Sequence, residues 1–119
     1  MKDIEVLNAK VKDVVFRIED YGLMVTLTLE GDGWGVCYSS GTLAYTEYNR
    51  ETEKEDIVVP SQATHIISKI YELLNFFNVN ALEAIKGKYV RVEINNNSWS
   101  SVVKLIDILN GRKTFKWGE

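Results

Sequence analysis

Hydrophobic and polar positions alternate with period two over much of this chain and with period 3.6 over one central stretch. From Ile4 to Ile18 the residues are rich in Val and Ile, and Val14, Phe16 and Ile18 alternate with Val15 and Arg17. This predicts one long or bent strand, or two short ones. Glu19-Asp20-Tyr21-Gly22 is a turn signal, with Gly22 suited to a positive φ. Leu23, Val25, Leu27 and Leu29 then share one face of a strand while Met24, Thr26 and Thr28 share the other. The glycines of Gly31-Asp32-Gly33-Trp34-Gly35 admit two readings, a backbone phosphate cradle or a tight hairpin. The hairpin is favoured, because Val36-Cys37-Tyr38 resumes an extended pattern where a dinucleotide fingerprint needs a helix. Leu43-Ala44-Tyr45 is a further short strand.

The period changes after Pro60. Ser61 stands at the N-cap position, and Ala63, Ile66, Ile67, Ile70, Leu73, Leu74 and Phe77 form one apolar stripe ending near Asn78, flanked by His65, Lys69, Glu72 and Phe76. Asn80 caps a short second helix, Ala81 to Lys86, which Gly87 ends. Tyr89, Arg91 and Glu93 alternate with Val90, Val92 and Ile94 in another strand, Asn95 to Ser98 is a turn, Val102 through Leu109 is a strand, and Asn110-Gly111 turns into Thr114-Phe115-Lys116-Trp117. The expected architecture is α+β: a single domain over residues 1–119 in which a curved antiparallel sheet packs on one main helix, with a second short helix.

Composition narrows the function. The chain has 119 residues, 45% of them hydrophobic, with one cysteine and one histidine, which allows an independent core but neither a disulfide nor a closed zinc site. No apolar run is long enough for a transmembrane helix, and the start, Met1-Lys2-Asp3-Ile4-Glu5, is not a signal peptide, so a cytoplasmic location is expected without membrane contact. The net charge of −3 hides an asymmetry: residues 1–85 hold 7 Lys/Arg against 14 Asp/Glu, and residues 86–119 hold 7 against 3. Much of the negative charge is Glu47, Glu51, Glu53, Glu55 and Asp56, in a stretch that offers no apolar face and is expected to be a solvated loop. The overall acidity argues against duplex DNA as a partner, whereas a small anion needs only two or three of the C-terminal cations.

Catalytic chemistry is weakly supported. His65 stands where the helix dipole disfavours an imidazolium, and Cys37, between Val36 and Tyr38, is expected to pack. No catalytic residue, metal or cofactor is assigned. A binding role fits better: Trp34, Tyr38, Trp99 and Phe115 offer flat faces for a base, and Arg91, Arg112 and Lys113 offer cations for phosphate. A chain of this size builds a deep pocket most readily between subunits, so a homodimer or larger homo-oligomer is expected with a small phosphate-bearing nucleotide ligand.

Three segments carry a resemblance: Val6–Val11 with Ile18–Gly22, Leu29–Gly35, and Ile85–Val92. Together they resemble a family of small proteins carried by phages and prophages of Gram-positive bacteria. In that family the glycine-tryptophan turn is followed by a Phe-Gly-Gly run, where this chain has Val36-Cys37-Tyr38-Ser39-Ser40-Gly41. The resemblance implies a phage accessory protein of the size of the anti-Thoeris and anti-CBASS sponges, which sequester cyclic nucleotide signals without cleaving them. The alternative reading is a protein inhibitor that binds a bacterial defence effector, such as a CRISPR nuclease, through the acidic 47–56 stretch. A signal-degrading enzyme comes third.

Overall fold

A computed structural model describes residues 4–96 and 101–118. Eight strands and one main helix follow in the order β1 (Ile4–Glu19), β2 (Gly22–Gly31), β3 (Trp34–Ser39), β4 (Tyr45–Asn49), β5 (Lys54–Val58), α1 (Ala63–Phe77), a 3₁₀ turn (Leu82–Ile85), β6 (Tyr89–Asn95), β7 (Ser101–Ile106) and β8 (Thr114–Phe115). Six strands form one antiparallel sheet in the order β3-β2-β1-β6-β7-β8, and β4 pairs with β5 alone. The α+β class and the curved sheet on one helix are as the periodicities predict.

The sheet has one dry face. Val25, Leu27 and Leu29 of β2, Ala9 and Val11 of β1, Val90, Val92 and Ile94 of β6 and Leu105 of β7 are buried together with Leu73, Phe76 and Phe77 of α1. A β-bulge between Val11 and Asp13 bends β1 by admitting one extra residue, which explains why its alternation breaks in mid-strand. Curvature brings the two ends of the sheet together: the Trp117 backbone N–H donates to Tyr38 Oη at 2.9 Å, joining the chain after β8 to β3.

The helix departs from its expected face. Phe76 is buried and Ile67 is 61% exposed. Phe76 meets Phe77 and Phe115, with ring centroids 4.9 and 6.2 Å away, so this aromatic cluster rotates the buried stripe toward Phe76. The helix starts after Gln62, with no side-chain cap, not after Ser61. It ends at Asn78 in the left-handed conformation, with Val79 N–H bonded to Leu74 O at 2.9 Å. The second helix is a four-residue 3₁₀ turn, stopped by Gly87 at φ +90°. Strand β7 ends at Ile106, short of the expected Leu109, because Asp107 Oδ1 accepts the N–H groups of Leu109 and Asn110 and turns the chain.

The largest correction concerns residues 45–58. The expected charged loop is a β-hairpin, with Glu47 opposite Asp56 and Tyr48 opposite Glu55. Its turn is organised by Asn49, whose Oδ1 accepts the Glu51 N–H at 2.9 Å and whose Nδ2 donates to Asp56 at 3.0 Å. Every residue from Tyr45 to Ile57 except Asn49 is exposed, which is why no apolar period announces the strands. A 119-residue globule has a radius of gyration of about 13.5 Å, whereas this chain has 16.1 Å and a 53 Å long axis, as a projecting element requires.

Candidate interaction surface

The hairpin is fastened to the body at its root. Leu23 N–H donates to Ala44 O at 2.7 Å, Leu43 N–H to Leu23 O at 2.8 Å, and Thr42 Oγ1 to Tyr21 O at 3.1 Å. Where it leaves the sheet, the β1–β2 turn and the hairpin enclose a groove of about 540 Å³. Ile18, Tyr21, Leu23, Tyr45 and Ile57 supply its apolar wall, and Glu19 and Asp20 stand at its edge. Ile18 is 80% exposed and Ile57 76%, an arrangement that costs free energy in an isolated molecule and suits a site for an apolar partner group. Beyond the groove the hairpin carries Glu47, Glu51, Glu53, Glu55 and Asp56 into solvent, with Arg50 and Lys54 as their only cations between residues 45 and 58. Glu47 and Asp56 sit directly across the ladder, a like-charge pairing that weakens the hairpin and that a basic partner would relieve.

Of the residues expected to hold a nucleotide, Tyr38, Phe115 and Lys113 meet around one aromatic cluster, while Arg91 lies on the other face of the sheet. Phe115 is 4% exposed, and its ring lies edge-on to Tyr38 at 6.5 Å and Trp117 at 5.0 Å, so it is core and offers no free face. Tyr38 is half-buried against the same cluster. Trp34 does not stand out from its turn: the indole folds back over Gly31, where a Cβ would strike the ring, and packs against the core. Lys113 lies 5.9 Å from the centroid of the Phe76 ring, a cation–π contact at the edge of the aromatic cluster. Arg112 is exposed in the β7–β8 turn. Arg91 is on the opposite face of the sheet from Phe115, since its strand neighbours Val90 and Val92 point into the core. Trp99 lies outside the described residues.

The outer face carries a pairing that the sequence reading missed. Tyr89 is two residues from Arg91 on the same face of β6, 68% exposed, and Lys10 of β1 sits directly opposite it. The alternation of Tyr89 with Arg91 was legible; the register that adds Lys10 depends on a contact 79 residues away in sequence. Cys37 is likewise on the outer face and exposed, contrary to the expectation that it packs. His65 is exposed near the start of α1.

Tyr38 has a measurable signature. Burial pushes its phenol above the ordinary tyrosine value of 10.0, and the bond from the Trp117 N–H, which favours the phenolate, opposes this only in part. The raised value means that the unfolded state loses this proton first, so stability present below pH about 10 falls as pH rises beyond it. Tyr38→Phe is expected to cost about 1 kcal/mol at neutral pH, through the unpaired Trp117 N–H. It should also flatten the alkaline fall; urea midpoints measured across that range in both proteins check this.

Among the described residues no helix is long and apolar enough to cross a membrane, and no three His, Cys, Asp or Glu side chains gather as metal ligands would. Comparison of the chain with protein-family models, curated proteins and solved structures finds no match.

Proposed function

We propose that this chain is a non-enzymatic binding protein that engages a basic protein surface through the acidic β4–β5 hairpin and the groove at its root. One observation carries this reading: five carboxylates are held on a projecting, exposed hairpin whose base meets an exposed apolar groove. The partner of matching chemistry presents Lys or Arg residues around an apolar side chain. The apolar group enters the groove between Ile18 and Ile57, while the carboxylates steer approach and fix orientation. A nucleic-acid-binding protein has such a surface, and the resemblance to phage accessory proteins makes a bacterial defence effector the natural target.

The test follows the charges. Expression of the chain in a bacterium armed with a nuclease-based defence is expected to raise phage plating, and the triple variant Glu51→Lys, Glu53→Lys, Glu55→Lys is expected to lower that gain by about tenfold or more. Full activity of the triple variant defeats the reading.

A second reading, sequestration of a cyclic nucleotide signal, draws support from Tyr89, Arg91 and Lys10 on the outer sheet face, which combine a flat ring with two cations. It predicts heat release on titration with cyclic nucleotides or cyclic ADP-ribose isomers, lost in Arg91→Ala and retained in the hairpin variant. Recovery of the nucleotide intact after heat denaturation separates sequestration from cleavage.

A further inference from the structure

Strand β1 is 16 residues long, but β6 pairs only with Ile4–Lys10. From Asp13 to Glu19 it has β2 on one side and, among the described residues, no strand on the other. The direction of its backbone groups is fixed by what β2 does. Leu23 gives its N–H to Ala44 and accepts from Leu43, and Val25 accepts from Ser40 N–H and donates to Ser40 Oγ, so both turn away from β1. Residues opposite each other in an antiparallel pair turn toward or away from one another together. Ile18, opposite Leu23, and Phe16, opposite Val25, therefore aim their N–H and C=O groups at the open edge. Val14, opposite Leu27, follows the same phase, and its N–H is held at 3.0 Å by the Asp13 carboxylate.

The edge is apolar as well as unpaired. Phe16 is 51% exposed on the inner face of the sheet, beside the exposed Ile18. Native edges are ordinarily blunted by proline, by charges at their centre or by short length; this one has Val14-Val15-Phe16 at its centre.

We propose that a second copy of this chain pairs antiparallel with this edge about a two-fold axis through Val15, joining two sheets into one. The sequence of the edge selects both the occupant and the register. Asp13, Val15 and Arg17 share the outer face. With Val15 against Val15, each Asp13 lies opposite the second copy's Arg17, and each Val14 lies opposite its Phe16 with the edge-turned groups of both in phase. Sliding by one pairing step toward Glu19 sets Asp13 against Glu19 and by two sets Arg17 against Arg17, while one step the other way sets Asp13 against Val15 and leaves Asp13 and Arg17 without each other. A one-residue slip mismatches the hydrogen-bonding phase. Arg17 already gives Nε to Glu19 at 2.6 Å and keeps its other guanidinium donors for Asp13. Asp13 becomes available as the Phe16 carbonyl of the second copy takes over the Val14 N–H. The same contact covers Phe16, and it uses none of the hairpin's residues, although Ile18 borders both it and the groove.

Sedimentation velocity on the full chain tests this. The wild type is expected to move with rising concentration toward twice its 13.6 kDa mass. Phe16→Pro removes an edge-turned N–H and a half-exposed ring, neither of which the single chain relies on, so the variant should keep the wild-type circular dichroism spectrum and remain monomeric. Asp13→Arg and Arg17→Asp should each weaken self-association at least about tenfold, and a mixture of the two should restore the dimer, because every facing pair is then Arg against Asp. A wild type that stays monomeric at millimolar concentration overturns the proposal. So does a dimer that survives Phe16→Pro, or a mixture that associates no better than its components.

Discussion

Phe115→Ala is expected to destabilise the fold by about 3–5 kcal/mol, a large fraction of the total stability of a domain of this size. The ring is 4% exposed and touches Tyr38, Phe76 and Trp117, which come from β3, α1 and the segment after β8. Its removal opens a void where the two ends of the curved sheet and the helix meet. The short β8 strand pairs with β7 only through Thr114 and Phe115, so its place in the sheet leans on this ring and on the Trp117 bond to Tyr38. Arg112→Ala, in the exposed β7–β8 turn, should stay within about 0.5 kcal/mol of wild type. Urea unfolding followed by tryptophan fluorescence gives both values. A Phe115→Ala protein within about 1 kcal/mol of wild type would mean that the aromatic cluster is not the clasp of the sheet.

This contrast marks where sequence reasoning succeeded and where it stopped. The alternation of Leu23, Val25, Leu27 and Leu29, the Asp32-Gly33 turn and the helical stripe from Ala63 to Phe77 depend on local periods, and each names an element found in the fold. Burial along a strand was legible; burial across strands was not. Phe115 and Trp34 read as binding aromatics because each offers a flat face for a base, yet tertiary contacts with Tyr38, Trp117 and Gly31 decide their exposure. The β4–β5 hairpin escaped for the opposite reason. Its strands face water on both sides, so their alternation separates no apolar set from a polar one, and the pairing rests on backbone bonds and on the Asn49 turn. The same blindness hid the open stretch of β1, because an edge is defined by the strand that is missing beside it.

Gly22 controls whether the hairpin is seated, and Gly22→Ala is expected to cost about 2–4 kcal/mol. Two independent effects add. The residue has φ +115°, outside the range side-chain-bearing residues adopt readily, and a Cβ there would lie within contact distance of the Ala44 carbonyl and 2.8 Å from Thr42 Cγ2. That carbonyl is the acceptor for Leu23 N–H, so relief of the clash breaks the bond that fastens β4 to β2. Gly33→Ala is the matched control: φ is again positive, at +77°, but no atom lies within 4 Å, so backbone strain alone, about 1–2 kcal/mol, remains. Amide hydrogen exchange separates the two. In Gly22→Ala the Leu23 and Leu43 amides should lose protection well before the central strands, whereas Gly33→Ala should leave them as protected as in the wild type. Because Leu23, Ala44 and Tyr45 also line the groove, this variant should impair binding of a basic partner with every hairpin carboxylate still present. Equal protection at Leu23 in both variants would show that the hairpin is held by something other than this junction.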